Sequence, residues 1–218
     1  MAARKWAQLN PDAFMREDLG VEDVLSSRMV SDPLTVRDCC LVTDGAAAVV
    51  MVRSDRAKDF PRKPAYLLGS ASATSHRSNG SMPDLTVTAA RESGARAYEQ
   101  ACVSAKDVDV ALLYDAFTIN TILFLEDLGF CNKGEGGAFV DNGGIAPGGR
   151  LAVNTNGGGL SCVHPGMYGL FTIVEAVEQV RGSAGARQVQ GARIAIAHGN
   201  GGVLSSQATA IFGSGDAL

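Results

Sequence analysis

Residues 154–169, NTNGGGLSCVHPGMYG, place one histidine directly before a proline and behind a run of glycines. Glycine lets the backbone turn where a Cβ would forbid it and lets a ligand approach closely. Pro165 suits the first position of a helix. Together they aim the His164 imidazole into a crevice where a proton can be moved. Gly158 and Gly159 are expected to border the substrate there. His198 opens a second segment of this kind, HGNGG at 198–202. Its backbone N–H groups, around Asn200 and Gly201, suit an oxyanion hole or anion nest. Tyr114 and Asp115 add a phenol and a carboxylate, both competent in proton transfer. Tyr168, four residues beyond His164, falls one helical turn along on nearly the same face.

Each of these residues also fits a purely structural role. His164 can be a satisfied loop residue, 198–202 a plain glycine hairpin, and Tyr168 part of a core. Asp115 can cap the helix that begins near Phe117. His76, the third histidine, sits in a polar loop and is expected to be solvated. Its spacing from the other two does not suggest a metal site.

The elements that must position these groups become regular from Ala65 onward. AYLLGSAS reads as a strand, TVTAARESGARAYEQAC as a helix, DVDVALLYD as a strand and FTINTILFLEDLGF as an amphipathic helix with Gly129 near its end. GRLAVN is a short strand, PGMYGLFTIVEAVEQVRG a helix starting at Pro165, and ARIAIAH and VLSSQATAIFG are strands joined by GNGG as an antiparallel hairpin. This βαβαβαββ order predicts an α/β fold with a mixed five-stranded sheet, mostly parallel and covered by helices. Active groups in such sheets gather beyond the carboxyl ends of the parallel strands. The segments at 114–117, 154–165 and 197–202 should therefore meet. The first 60 or so residues carry no sustained period, except that the valine-rich run after Asp44-Gly45 predicts a buried strand over about 46–52.

Composition narrows the function classes. With 19 Lys and Arg against 23 Asp and Glu, the net charge of −4 offers no basic field, and nucleic acid is not an expected partner. Five cysteines, an odd number without a C-x-x-C pair, argue against a disulfide framework or a zinc ribbon and suit a reducing compartment. All five are expected to be structural. No apolar run approaches the length of a membrane span, and the N-terminus lacks the apolar centre of a signal peptide, so a cytoplasmic location with no membrane partner is expected.

The ordered motifs DGAAAVVMV, YDAF, NTNGGGLSCVHPGMYGL and HGNGGVLSS resemble the carboxyl-terminal half of the thiolase superfamily. Within it, they are most similar to the sterol-carrier-type thiolase-like proteins, which include acetyl-CoA acetyltransferase-like members. The resemblance covers nearly the whole chain. It implies that residues 1–64 form the tail of a loop domain and the closing strand of an absent first half, and that 65–218 form the carboxyl-terminal domain. It also implies a coenzyme A thioester as substrate, with no bound cofactor or metal. The nucleophilic cysteine of thiolases belongs to the first half. A chain beginning at Met1 with AARKWAQLN is then expected to be a fragment, a truncated reading frame or a subunit needing a partner.

By the same resemblance, His164 would activate that cysteine and donate to the thioester oxygen, and the N–H groups near Asn200 would line a second oxyanion hole. Two motifs depart from the family pattern. Tyr114-Asp115-Ala116-Phe117 stands where thiolases have Asn-Glu-Ala-Phe, so Tyr114 replaces the residue that holds the oxyanion water. His198 replaces an acid/base cysteine. The resemblance thus implies an enzyme that makes or breaks a C–C bond next to a thioester by Claisen-type acyl transfer. It also implies, as an alternative, a retro-aldolase acting on a β-hydroxyacyl-CoA, with Tyr114 and Tyr168 as base and acid and an OB-fold partner. A third reading is a non-catalytic lipid-binding or scaffolding subunit. The expected partners are acyl-CoA and either a second copy in a homodimer or a complementing thiolase half.

Overall fold

The computed structural model describes residues 1–217. Its centre is a five-stranded sheet whose inner strands are too apolar to lie anywhere but between two helical layers. In chain order the structure runs α1 (Ala2–Gln8), α2 (Val21–Leu25), β1 (Met29–Ser31), β2 (Leu34–Thr35), β3 (Tyr66–Thr74), α3 (Ala90–Ala101), β4 (Val110–Leu113), α4 (Thr118–Asp127), α5 (Gly136–Val140), β5 (Ala152–Val153), α6 (Gly158–Ser161), α7 (Gly169–Arg181), β6 (Ile194–Gly201) and β7 (Ser206–Gly213). The main sheet has the order β3-β7-β6-β4-β5. β4 pairs in parallel with β5 and β6, whereas β7 is antiparallel to both β6 and β3. The mixed five-stranded α/β sheet is as the sequence predicts.

Strand alternation sorts the core into two sides. Val110, Leu112, Ala195 and Ala197 pack with Ala176 and Val180 of α7. Ala111, Leu113, Ile196 and Ile211 face the other way, toward Ala90 and Ala97 of α3 and Phe124 and Leu125 of α4. His198 continues the second row, two residues beyond Ile196.

Three local expectations change in the structure. The helix expected from Pro165 starts at Gly169, because Gly166 has φ +80°, and that left-handed residue breaks the turn. The closing hairpin is antiparallel as expected, but β6 runs through Gly201 and the turn falls at 202–205, where Gly202 and Leu204 have φ of 62° and 59°. The run at 46–52 forms no strand and is largely exposed. Val50 is 87% accessible and Met51 74%, since none of the described residues pairs with this run in a ladder.

The N-terminal segment lies on the back of the glycine-rich loop. The Trp6 indole N–H donates to the Ile145 carbonyl at 3.0 Å and is buried. Arg4 Nε donates to Ser161 Oγ at 3.1 Å, and Asn10 Nδ2 to the Asn156 carbonyl at 2.9 Å. From the other side, Thr155 Oγ1 donates to Glu175 Oε1 at 2.6 Å, and Glu175 is gripped by Arg187.

Candidate active site

β4 delivers Tyr114 and Asp115 to the carboxyl end of the sheet, where the Tyr114 N–H donates to the His198 carbonyl at 3.0 Å. Asp115 is fully buried and does not cap α4, whose N-terminal flank is Phe117. Its carboxylate accepts instead from the N–H groups of Gly159, at 2.6 Å, and Leu160, at 3.4 Å, in the opening turn of α6. Burial pushes its pKa up to about 7, against the pull of those donors and of the Asn154 side chain. Gly157 and Gly158, with φ of 105° and 66°, make this approach feasible, because a Cβ at 158 would collide with the Asp115 carboxylate.

Three rings meet above this loop. Tyr114 meets His164 edge-on at 5.5 Å between centroids and Tyr168 at 5.4 Å, while His164 and Tyr168 stack at 6.0 Å. The Tyr168 hydroxyl donates to Asn156 Oδ1 at 3.3 Å, and the Tyr168 N–H donates to the Tyr114 hydroxyl at 3.3 Å. Tyr168 is fully buried, and desolvation with nearby Asp115 holds its phenol well above its ordinary pKa. It is a proton donor at any ordinary pH.

His164 is half-buried, and burial lowers its pKa, so the imidazole is neutral near pH 7. Its Nε2 is buried without a hydrogen-bond partner. That nitrogen lies in a cluster with the Tyr114 and Tyr168 rings.

The sequence places His164, Tyr114, Tyr168, Asp115, Gly158 and Gly159 in one neighbourhood, and the structure brings them together. His198 and the segment behind it sit differently. The His198 ring is fully buried against Phe124 at 4.6 Å, with Nδ1 2.9 Å from Thr209 Oγ1 and Nε2 2.9 Å from Gln207 Oε1. An amide oxygen only accepts, so Nε2 carries the hydrogen and Nδ1 accepts from Thr209. Burial depresses the pKa to about 4. This ring has no free nitrogen for acid/base work. Asn200 and Gly201 lie in the ladder opposite Gln207 and Ser206. An extended strand sends successive N–H groups to opposite edges, so the converging nest expected of 198–202 does not form. The Asn200 side chain accepts from Gln207 Nε2 at 3.3 Å.

His76 is half-buried rather than free in solvent, with Nε2 2.9 Å from the Val203 carbonyl. Cys162 is buried at the Asn10 side of the loop, with its thiol pushed up to about 11, and no thiol hydrogen-bonds to His164 among the described residues. Sequence reasoning missed Asn154 and Asn156, which brace the tight turn. The Asn-x-Asn spacing before the glycines was the available signal. It also missed Thr43, for which no motif pointed the way.

Among the described residues no group of three or more His, Cys, Asp or Glu side chains is placed to hold a metal, and no helix is long and apolar enough to cross a membrane. Residues 71–214 match the family model described as "Thiolase C-terminal domain-like". An acetyl-CoA acetyltransferase of Methanothermobacter thermautotrophicus is 40% identical over 212 residues, covering 94% of this chain and 54% of that protein. Sterol carrier protein 2 of Oryctolagus cuniculus is 35% identical over 199 residues, covering 88% of this chain and 36% of that one. The solved Ltp2-ChsH2(DUF35) aldolase superposes with a TM-score of 0.91 at 32% identity, covering 98% of this chain and 56% of that one. The chain thus spans between about a third and just over half of each of these proteins.

Proposed function

The chain belongs to the thiolase family, matching its C-terminal domain, and from that membership we propose that it works on a coenzyme A thioester, making or breaking the C–C bond beside the thioester carbonyl. The observation that carries this reading is the unpartnered Nε2 of a neutral imidazole set against the Tyr114 and Tyr168 rings. Such a nitrogen takes a proton from a substrate hydroxyl or α-carbon and returns it later. Tyr114, with its phenol beside the same ring, donates to the thioester oxygen as charge develops there.

Within this class the site favours retro-aldol cleavage. A base removes the proton of a β-hydroxyl, the Cα–Cβ bond breaks to give a carbonyl compound, and the thioester enolate left behind is protonated at Cα. That sequence requires no acyl-cysteine. The similarity to an aldolase supports the same direction. We assign the base to His164, with Tyr168 as its stacked support, because the Tyr168 hydroxyl is buried and engaged by Asn156. His198 is assigned a holding role for Gln207 and Asn200. Claisen-type acyl transfer remains the second reading, favoured by the similarity to an acetyltransferase. It requires a nucleophilic cysteine brought to His164 from elsewhere.

The exposed apolar run at 42–52 supports a division into a loop-domain tail with a closing strand at 1–64 and a carboxyl-terminal domain at 65–218, with the run finding strand neighbours in a complementary half. A second protein of OB-fold type is a further proposed partner, in keeping with the composite name of the aldolase. Parallel assays separate the readings. Release of an aldehyde or ketone from a β-hydroxyacyl-CoA supports retro-aldol cleavage, and CoA-dependent cleavage of a β-ketoacyl-CoA supports Claisen chemistry. Tight acyl-CoA binding with neither reaction, in the presence of the complementing half, would overturn the enzymatic reading in favour of a carrier.

A further inference from the structure

His164 is held in an unusual way for a residue at the head of a helix. Pro165 has no N–H, α7 starts only at Gly169, and Gly166 breaks the turn between them. The backbone of His164 therefore has no helical ladder to lean on. Both of its polar backbone groups go to one residue far away in sequence. The His164 N–H donates to Thr43 Oγ1 at 2.9 Å, and the His164 carbonyl accepts from the Thr43 N–H at 3.4 Å.

Thr43 belongs to an extended strap that stitches the two site loops together. Cys39 bridges to Phe117, the Cys40 N–H donates to the Ala116 carbonyl at 2.9 Å, and the Leu41 N–H donates to the Gly159 carbonyl at 2.9 Å. Beyond Thr43, Gly45 lies flat against the other side of the histidine turn. A Cβ there would stand 3.0 Å from Val163, 3.2 Å from Phe171 and 3.5 Å from Pro165. One side of the strap thus touches the loop after Tyr114 and Asp115, and the other clasps the turn that carries His164.

We propose that residues 39–45 are a positioning clasp for the active site, with Thr43 as the positioning residue that sets the His164 imidazole. Thr43 bonds to both the N–H and the carbonyl of His164, so it fixes the backbone from which the imidazole hangs and, with it, the direction of the ring. The clasp lies outside residues 71–214, the part matched by the family model. This inference rests on the proposed role of His164 as the proton-transferring group.

Thr43→Val keeps the side-chain volume and the backbone N–H but removes the hydroxyl acceptor. Thr43→Ser restores it. The test reads both variants by nitrogen-edited NMR of the histidine rings across pH, and by turnover of β-hydroxyacyl-CoA with the complementing half present. For Thr43→Val we expect a displaced His164 titration, an unchanged His198 signal and a fall in kcat of about tenfold with KM unchanged. Thr43→Ser should return both readouts to the parent's. A Thr43→Val protein with the parental His164 titration overturns the clasp, as does a Thr43→Ser protein impaired as badly as Thr43→Val. If the parent turns over no acyl-CoA, the reading of the activity fails and the ring titrations alone decide the clasp. Should Thr43→Val not fold, Gly45→Ala gives the same readout by pressing on Val163.

Discussion

His164 and His198 have almost the same sequence setting, a strand end with glycines beside it, and the fold makes opposite use of them. His198 lies in phase with Ile196 on a strand that continues to Gly201, so alternation turns its ring inward, beneath Phe124, where both nitrogens are bonded. His164 lies outside any regular element. It answers to a turn broken at Gly166 and to Thr43, and its Nε2 is left bare. Glycine next to histidine marks a place where a ring has room. Whether the ring is offered to a substrate depends on whether the backbone at that point is a strand, whose parity is fixed, or a loop, whose direction is set by distant partners.

The contrast breaks first at His164→Ala. It should cost turnover about a thousandfold while leaving the denaturant midpoint nearly unchanged, because the half-buried ring gives up little packing. An enzyme that keeps its rate after this change would remove His164 from the chemistry. His198→Ala should behave inversely. It strands the Gln207 amide oxygen in the core, takes one of two partners from the Thr209 hydroxyl and opens a cavity beside Phe124, for a loss of about 2–4 kcal/mol in chemical denaturation.

The pH dependence sharpens the same comparison. His198 has a folded pKa of about 4 against an ordinary value of 6.5, so the stability it contributes is full above about 6.5 and drains away as pH falls toward 4. Asp115 has a folded pKa of about 7 against 3.8, so its contribution is full below about 4 and drains away as pH rises toward 7. The two slopes oppose each other between pH 4 and 6.5. Asp115→Asn should therefore expose a steep acid sensitivity in thermal melts that the parent protein does not show. The smallest effect is expected of Tyr168→Phe, which loses the bond to Asn156 at a cost of about 1 kcal/mol and slows retro-aldol cleavage through a looser His164. Unchanged cleavage by that variant would mean the stacking contact does not steer the base.

Much of the scaffold was legible because it depends on local periodicity. The alternation of Val110–Leu113 and of Ile194–His198, and the amphipathic pattern of α4 and α7, announce a sheet between helices. The glycine run with His164 announces the site. What the sequence hid was decided by single backbone angles, by the exact place of a turn, and by one partner more than a hundred residues away. The start of α7 moved because of one backbone angle at Gly166, and the run at 46–52 has strand composition but nothing to pair with among the described residues. The turn of the last hairpin slid by a few residues, which converted an expected anion nest into a ladder. Thr43 carries no motif because its role exists only once two loops have been folded beside it.

Trp6 gives the packing of the N-terminal segment an optical signature. It is the single tryptophan of the chain, and its buried indole donates to the Ile145 carbonyl while neighbouring Arg4 and Asn10 brace the glycine loop from behind. Its emission therefore reports one event, the seating of residues 1–15 against the loop of the active site. A red-shifted, water-quenched spectrum marks their release, so the light from one side chain follows the support behind His164 in real time, without any added label.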